Sequence, residues 1–169
     1  MNLLLLGGNS LRNQAWIHQV SDSLAGDFAT RTVIDYRHWQ TGEPNLDFAH
    51  ELSQIATAAT TLGEYAVFAK SAGSILALEA IQQGILRPNR AVFTGLALPM
   101  VGEHPAALEA LRTATIPITI LQNDSDPVAS YAEVAAALRD NNITSVELVS
   151  LPGDSHDYDD LGVIRSALI

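Results

Sequence analysis

The stretch Glu64-Tyr-Ala-Val-Phe-Ala-Lys-Ser71-Ala-Gly-Ser-Ile-Leu-Ala-Leu-Glu-Ala-Ile81 decides the architecture. Residues 64–69 form a short apolar run rich in residues that suit a buried strand. Residues 72–81 carry apolar positions at helical spacing. Between the two lies Ala69-Lys70-Ser71-Ala72-Gly73, with no room for a loop. A chain passing this abruptly from strand to helix folds back on itself, so the corner needs small neighbours. The serine hydroxyl is then lifted above the sheet with a helix N-terminus behind it. This is the geometry of a nucleophile elbow, with Ala69 standing where a glycine is usual.

Outward from the corner, the chain alternates. Asn2 to Leu6 is an apolar run closed by Gly7-Gly8, and Trp16, Ile17, Val20 and Leu24 follow at helical spacing. Thr30 to Asp35 reads as a second strand. A polar loop with Gly42 and Pro44 leads to a helix expected to be capped by Asn45 and to run to about Thr61. After the corner, strands are expected at Ala91–Thr94, Ile116–Leu121 and Ser145–Leu151. Helices are expected at Pro105–Arg112, Ala129–Arg139 and Asp159–Leu168. Six strands alternating with helices through short connections predict one α/β domain over residues 1–169, a three-layer αβα sandwich around a parallel sheet. Ligands of such sheets bind beyond the carboxyl ends of the strands. Four chemically loaded loops share that edge: Gly7–Ser10, the corner at Ser71, Asn123–Pro127 and Gly153–Asp157.

Nineteen acidic residues against nine basic ones give a formal charge of −10. That field disfavours nucleic acid and anionic membranes as partners, both of which need clustered cations. There is no cysteine, so disulfides, thiolate metal sites and cysteine nucleophiles are excluded. Leu3-Leu-Leu-Leu6 is far too short to span a membrane and lacks the flanks of a signal peptide. A cytoplasmic location is the expectation.

Serine is a poor nucleophile until an imidazole accepts its proton and a carboxylate orients that imidazole. Ser71, Asp126 and His156 supply these groups on three different loops of one edge, separated by whole strand–helix units. With these residues in place the chain resembles a small, lidless α/β-hydrolase. Phe68-Ala-Lys-Ser71-Ala-Gly-Ser74 is similar to that superfamily's elbow. Leu121-Gln-Asn-Asp-Ser-Asp126-Pro-Val128 is similar to its acid loop, and Leu151-Pro-Gly-Asp-Ser-His156-Asp-Tyr158 to its histidine loop. The likeness spans essentially the whole chain. It implies the strand order 2-1-3-4-5-6, without the family's two leading antiparallel strands or a lid insertion, and a shallow, open site.

The resemblance further implies a Ser71–Asp126–His156 triad and an oxyanion hole made by the backbone N–H groups of Ala72 and Asn9. Gly7 stands where the family often has a loop-bracing histidine. Gly8 and Ser10 on the same wall, and His38-Trp39 after the second strand, are candidate substrate contacts. Blander readings stand beside these: Ser71 and Asp126 as helix caps, His156 as a loop histidine, and Asp124 as the rival acid. His18, His38, His50 and His104 read as surface or cap residues. Lys70, the sole lysine, is expected to pair with a nearby carboxylate. The acidic run Asp154, Asp157, Asp159 and Asp160 lacks calcium-loop spacing and reads as a solvated loop, so neither metal nor cofactor is expected. The expected function is serine-hydrolase cleavage of esters or thioesters of small acyl groups. The alternatives are acyl transfer or peptide hydrolysis on the same triad, and a non-catalytic binding protein that keeps the fold.

Overall fold

Burial explains the strands of the computed structural model, which describes residues 1–169. All six residues of β3 (Tyr65–Lys70) are buried, as are four of five in β1 (Asn2–Leu6) and in β4 (Arg90–Thr94). These central strands are apolar on both faces because helices cover both. The flanking strands, β2 (Arg31–Ile34) and β6 (Val146–Leu151), are only partly covered, and β6 carries exposed Glu147 and Ser150 among half-buried apolar residues. With β5 (Ile118–Asn123) they form one six-stranded, all-parallel sheet in the order β2-β1-β3-β4-β5-β6.

The order reverses direction at β1, so the chain leaves β1 toward one edge and β3 toward the other. The two outgoing loops diverge there and open a crevice at the carboxyl ends of the strands. Register brings the loops together: Leu6 pairs with Ala69, and Lys70 with Thr94. Gly8 and Ser71 thus emerge side by side.

Helix α1 (Arg12–Ser23) and the C-terminal α8 (Leu161–Leu168) cover one face, tied by Arg165 to Asp27 at 2.6 Å. Helices α3 (Phe48–Ala59), α4 (Ala72–Gln82), α6 (Pro105–Thr113) and α7 (Tyr131–Asp140) cover the other. Seven consecutive residues of α4, Ala72 to Leu78, are buried, so this helix is enclosed by its neighbours. No helix is long and apolar enough to cross a membrane.

Three features differ from the sequence-based expectation. Helix α3 is capped by the Asp47 side chain, which accepts the His50 N–H at 3.1 Å, because Asn45 lies two residues further outside the helix. Two short helices interrupt segments expected to be loops, α2 (Arg37–Thr41) and α5 (Leu98–Val101). Neither is long enough to write a 3.6-residue period into the sequence. Helix α7 is capped by Ser130 in a capping box with Glu133, which leaves Asp126 free of that duty.

Candidate active site

Ser71 is the one residue between β3 and α4, and its backbone is strained, with φ 54° and ψ −123°. A non-glycine residue there costs about 1–3 kcal/mol and persists only when its surroundings over-determine it. Here the Ser71 N–H donates to the Thr94 carbonyl at 3.0 Å and its carbonyl accepts from Ser74 N–H at 2.9 Å. Its side chain caps nothing. Behind it, α4 lies so close to β1 that a Cβ on Gly73 would sit 2.3 Å from the Gly7 carbonyl oxygen. Gly73 is therefore required by close approach.

The acid and the imidazole meet. His156 Nδ1 lies 2.8 Å from Asp126 Oδ2 and 3.0 Å from Oδ1, with Asp126 only 3% exposed. Three further donors hold the carboxylate: Tyr158 Oη to Oδ2 at 2.7 Å, Val128 N–H to Oδ1 at 2.8 Å, and Gln122 Nε2 to Oδ2 at 3.3 Å. A buried carboxylate needs such donors to satisfy its oxygens. Burial, with the Asp126 charge adding to it, pushes the Tyr158 phenol well above its ordinary range, so it remains a donor. Asp124, the rival acid, is exposed and accepts from Ser150 Oγ on β6 instead. The far nitrogen, His156 Nε2, is buried and has no hydrogen-bond partner; none joins it to Ser71 Oγ.

The end of β5 organises both loops. Gln122, fully buried, donates to the Ala129 carbonyl at 2.5 Å and accepts the Leu96 N–H at 2.9 Å. Asn123 Nδ2 holds the histidine loop through the carbonyls of Ser155 at 2.9 Å and Asp157 at 3.1 Å. The Tyr158 hydroxyl also accepts the Asn123 N–H at 3.1 Å. Gly95, at φ 57°, leaves space for the rings above it: a Cβ there would be 2.6 Å from Tyr158 Cε2 and 2.9 Å from His156 Cε1. Sequence reasoning missed Gln122, Asn123, Tyr158 and Gly95. Two polar residues ending an otherwise apolar strand, and a glycine directly after β4, were the available signals.

The loop after β1 faces the elbow, and a Cβ on Gly8 would come within 3.3 Å of Ser71 Cβ. The Asn9 side chain is engaged elsewhere, accepting Leu46 N–H at 2.8 Å and donating to the Pro44 carbonyl at 3.1 Å. The Asn9 carbonyl accepts from His38 Nε2 at 2.6 Å and Trp39 Nε1 at 3.3 Å, while its N–H has no partner within the chain. Ala72 opens α4, where the first N–H groups have no intrahelical acceptor. His38 and Trp39 are buried, His38 stacked on Tyr36 and Trp39 tilted against it, a correction to the reading of His38 as a surface or cap residue. They clamp the loop from α2, where Gly7 itself has no side chain to do so. They also line, with Ser10, a cavity of about 220 Å³ beside it. His18 pairs with Asp35 at 2.9 Å and His104 with Glu79 at 2.8 Å, both outside the loops around Ser71.

Lys70 has no ion pair, contrary to expectation. Its Nζ lies 4.7 Å above the Trp16 ring, and it lines a cleft with Ser10, Arg12, Asn13, Trp16, His156 and Asp157. Side chains alternate along a strand, so Lys70 points to the α1 face with Phe68, which Trp16 also touches.

Solved structures share this architecture. The chain superposes on a YdeN-like hydrolase of Pectobacterium atrosepticum with a TM-score of 0.70 at 18% identity, covering 99% of this chain and 89% of that one. An esterase of the planctomycete Thermogutta terrifontis, solved with propionate, matches with a TM-score of 0.69 at 16% identity, over 99% and 82% of the two chains. A thioesterase domain from the curacin biosynthetic pathway matches with a TM-score of 0.71 at 13% identity, over 99% and 89%. At these identities the likeness shows the fold: the chain has the α/β-hydrolase fold. No protein-family model and no curated protein matches its sequence.

Proposed function

We propose that this chain is a serine hydrolase cleaving esters or thioesters of small acyl groups, with Ser71 as nucleophile, His156 as general base and acid, and Asp126 as its orienting carboxylate. One observation carries the reading. His156 is anchored through Nδ1 on a buried, four-donor carboxylate while its buried Nε2 is left without a partner, on the same edge as a strained serine.

The carboxylate keeps the proton on Nδ1, so Nε2 is the basic nitrogen. As substrate enters, Ser71 Oγ closes to about 3 Å of Nε2, a contact often long in an empty site. Oγ attacks the carbonyl carbon and Nε2 takes its proton. The oxyanion that forms accepts from the N–H groups of Ala72 and Asn9, both fixed in advance, one by the helix start and one by the His38–Trp39 clamp. Nε2 then returns the proton to the leaving oxygen or sulfur as that bond breaks, and an acyl group remains on Ser71. Water repeats the cycle to release the acid. The names of the matched structures, a hydrolase, an esterase and a thioesterase, support the same class.

A fluorophosphonate probe tests the reading. Labelling of the wild type but not of Ser71→Ala, together with turnover of 4-nitrophenyl acetate or an acyl-thioester, is the expected result. An unlabelled wild type would return the chain to the class of binding proteins that keep a hydrolase fold.

A further inference from the structure

Lys70 presents a problem of charge. It is 4% exposed, no carboxylate lies within 4 Å of its ammonium, and no acceptor hydrogen-bonds it. Its stem is buried while the ammonium reaches the cleft unpaired, so the charge there is open to an incoming anion. Other donors around it are unpaired as well. Arg12, the second cation on the cleft, also makes no ion pair or side-chain hydrogen bond. Helix α1 starts at the cleft with no side-chain cap and no acidic residue in its first turn. Trp16, whose indole Nε1–H is buried without an acceptor, forms the floor beneath Lys70. Asp157 on the cleft wall, with Asp159 and Asp126 beyond it, acts on Lys70 through space, but none of the three pairs with it.

We propose that the cleft of about 280 Å³ between Lys70 and His156 binds an anionic group carried by the leaving alcohol or thiol of the substrate. The inference rests on the hydrolase reading, and it deepens it by assigning a substrate class. The leaving group must adjoin His156, because Nε2 delivers its proton there. The cleft that contains His156 is the one that contains Lys70 and Arg12. A carboxylate or phosphate on the leaving group accepts from Lys70 Nζ and the Arg12 guanidinium while its carbon skeleton packs on Trp16. When the acyl bond breaks, the leaving oxygen takes the proton from Nε2 and the product departs as a hydroxyl compound still carrying its anionic group. Burial also lowers the Lys70 ammonium below the ordinary lysine range, and an anion beside it acts in the opposite direction, favouring the charged form.

The test compares acetyl esters that differ in the charge of the leaving phenol: methyl 4-acetoxybenzoate, 4-acetoxybenzoate and 4-acetoxyphenyl phosphate. The ratio of kcat/KM for each anionic ester to that for the neutral ester is expected to fall at least about tenfold in Lys70→Met, as loss of a charged hydrogen bond requires. Arg12→Gln, at an exposed position that cannot disturb the core, is expected to lower it by roughly threefold. Whichever anionic ester shows the larger fall identifies carboxylate or phosphate as the group preferred. Ratios unchanged within twofold in both variants overturn the proposal. A second readout does not need turnover: on Ser71→Ala protein, 4-hydroxybenzoate or 4-hydroxyphenyl phosphate binds more tightly than methyl 4-hydroxybenzoate, and Lys70→Met removes the difference. Equal binding of all three overturns the anion site. Lys70-dependent anion binding in a protein that neither labels with fluorophosphonate nor turns over any ester would remove the hydrolase reading and leave the site.

Discussion

Gly73→Ala tests the geometry on which the proposed oxyanion hole depends. The added Cβ would lie 2.3 Å from the Gly7 carbonyl oxygen, 2.8 Å from that of Leu6 and 3.0 Å from Tyr36 Oη. Carbon and oxygen repel steeply inside about 3 Å, so α4 and the loop leaving β1 must separate by ~0.7 Å or more. Neither side yields easily. Leu6 is paired in the sheet with Ile34 and Ala69, and the Gly7 carbonyl is held by Tyr36 Oη at 2.9 Å. Overpacking of this kind costs about 1–3 kcal/mol of stability. The larger effect falls on rate, because the two proposed donors, Ala72 and Asn9, lie on opposite sides of the forced contact. Losing one such donor typically costs about 10²–10³ in kcat. The assay is kcat and KM on 4-nitrophenyl acetate alongside calorimetric melting. The expectation is a folded protein whose kcat falls by about 10² or more, with a smaller change in KM. Ser74→Ala, one residue on and with its hydroxyl buried and unpartnered, is the control and is expected to stay within about threefold of wild type. A folded Gly73→Ala enzyme with kcat within threefold of wild type would refute the reasoning.

Further outcomes follow from the other contacts. Asp126→Asn is expected to lower kcat by about 10³–10⁴ by releasing the His156 tautomer, whereas Asp124→Asn, facing β6, is expected to change it by no more than a few-fold; equal losses would contradict the assignment. Tyr158→Phe removes a donor from Asp126 and leaves the Asn123 N–H unpaired, so urea titration should register a loss of about 1–3 kcal/mol. An unchanged midpoint would mean that water replaces the hydroxyl without penalty. His38→Ala frees the Asn9 carbonyl and should lower kcat by about tenfold through a looser oxyanion loop, with KM moving less. Lys70→Met is expected to raise the melting temperature at neutral pH, since it replaces an unpaired ammonium whose partial desolvation outweighs its attraction to nearby carboxylates. Because burial lowers the folded-state pKa of Lys70, the unfolded chain binds more protons between that value and about 10.4, and wild-type stability gains with pH across that window. The melting difference between Lys70→Met and wild type should therefore shrink as pH rises toward 10.4; a difference independent of pH would show that the ammonium is not the cause.

Much of this was legible in the chain itself. Hydrophobic runs of four to six residues, bounded by glycine or polar loops, place all six strands to within a few residues, because a strand buried on both faces has little freedom in composition. Alternation with helices then leaves a parallel sheet, and resemblance supplied its order. The short helices α2 and α5 escaped notice because five and four residues cannot display a period. Asn45 and Asp47 are equally good caps by residue type, and only the chain path selects Asp47 for α3.

What the sequence determined by itself was the inventory: a serine at a corner too tight for large neighbours, and an acid and an imidazole at the ends of later strands. Those are local properties, written in neighbouring residues. Partnership was decided by the tertiary structure. Whether Asp124 or Asp126 meets His156, whether His38 lies at the surface or clamps the Asn9 loop, and whether Lys70 finds a carboxylate or an aromatic ring all depend on which residues distant in sequence are brought within about 3–5 Å. Adjacent residues on a strand point to opposite faces, so two neighbours as close as Ala69 and Lys70 face different helices. Only the packed sheet decides what each of them meets.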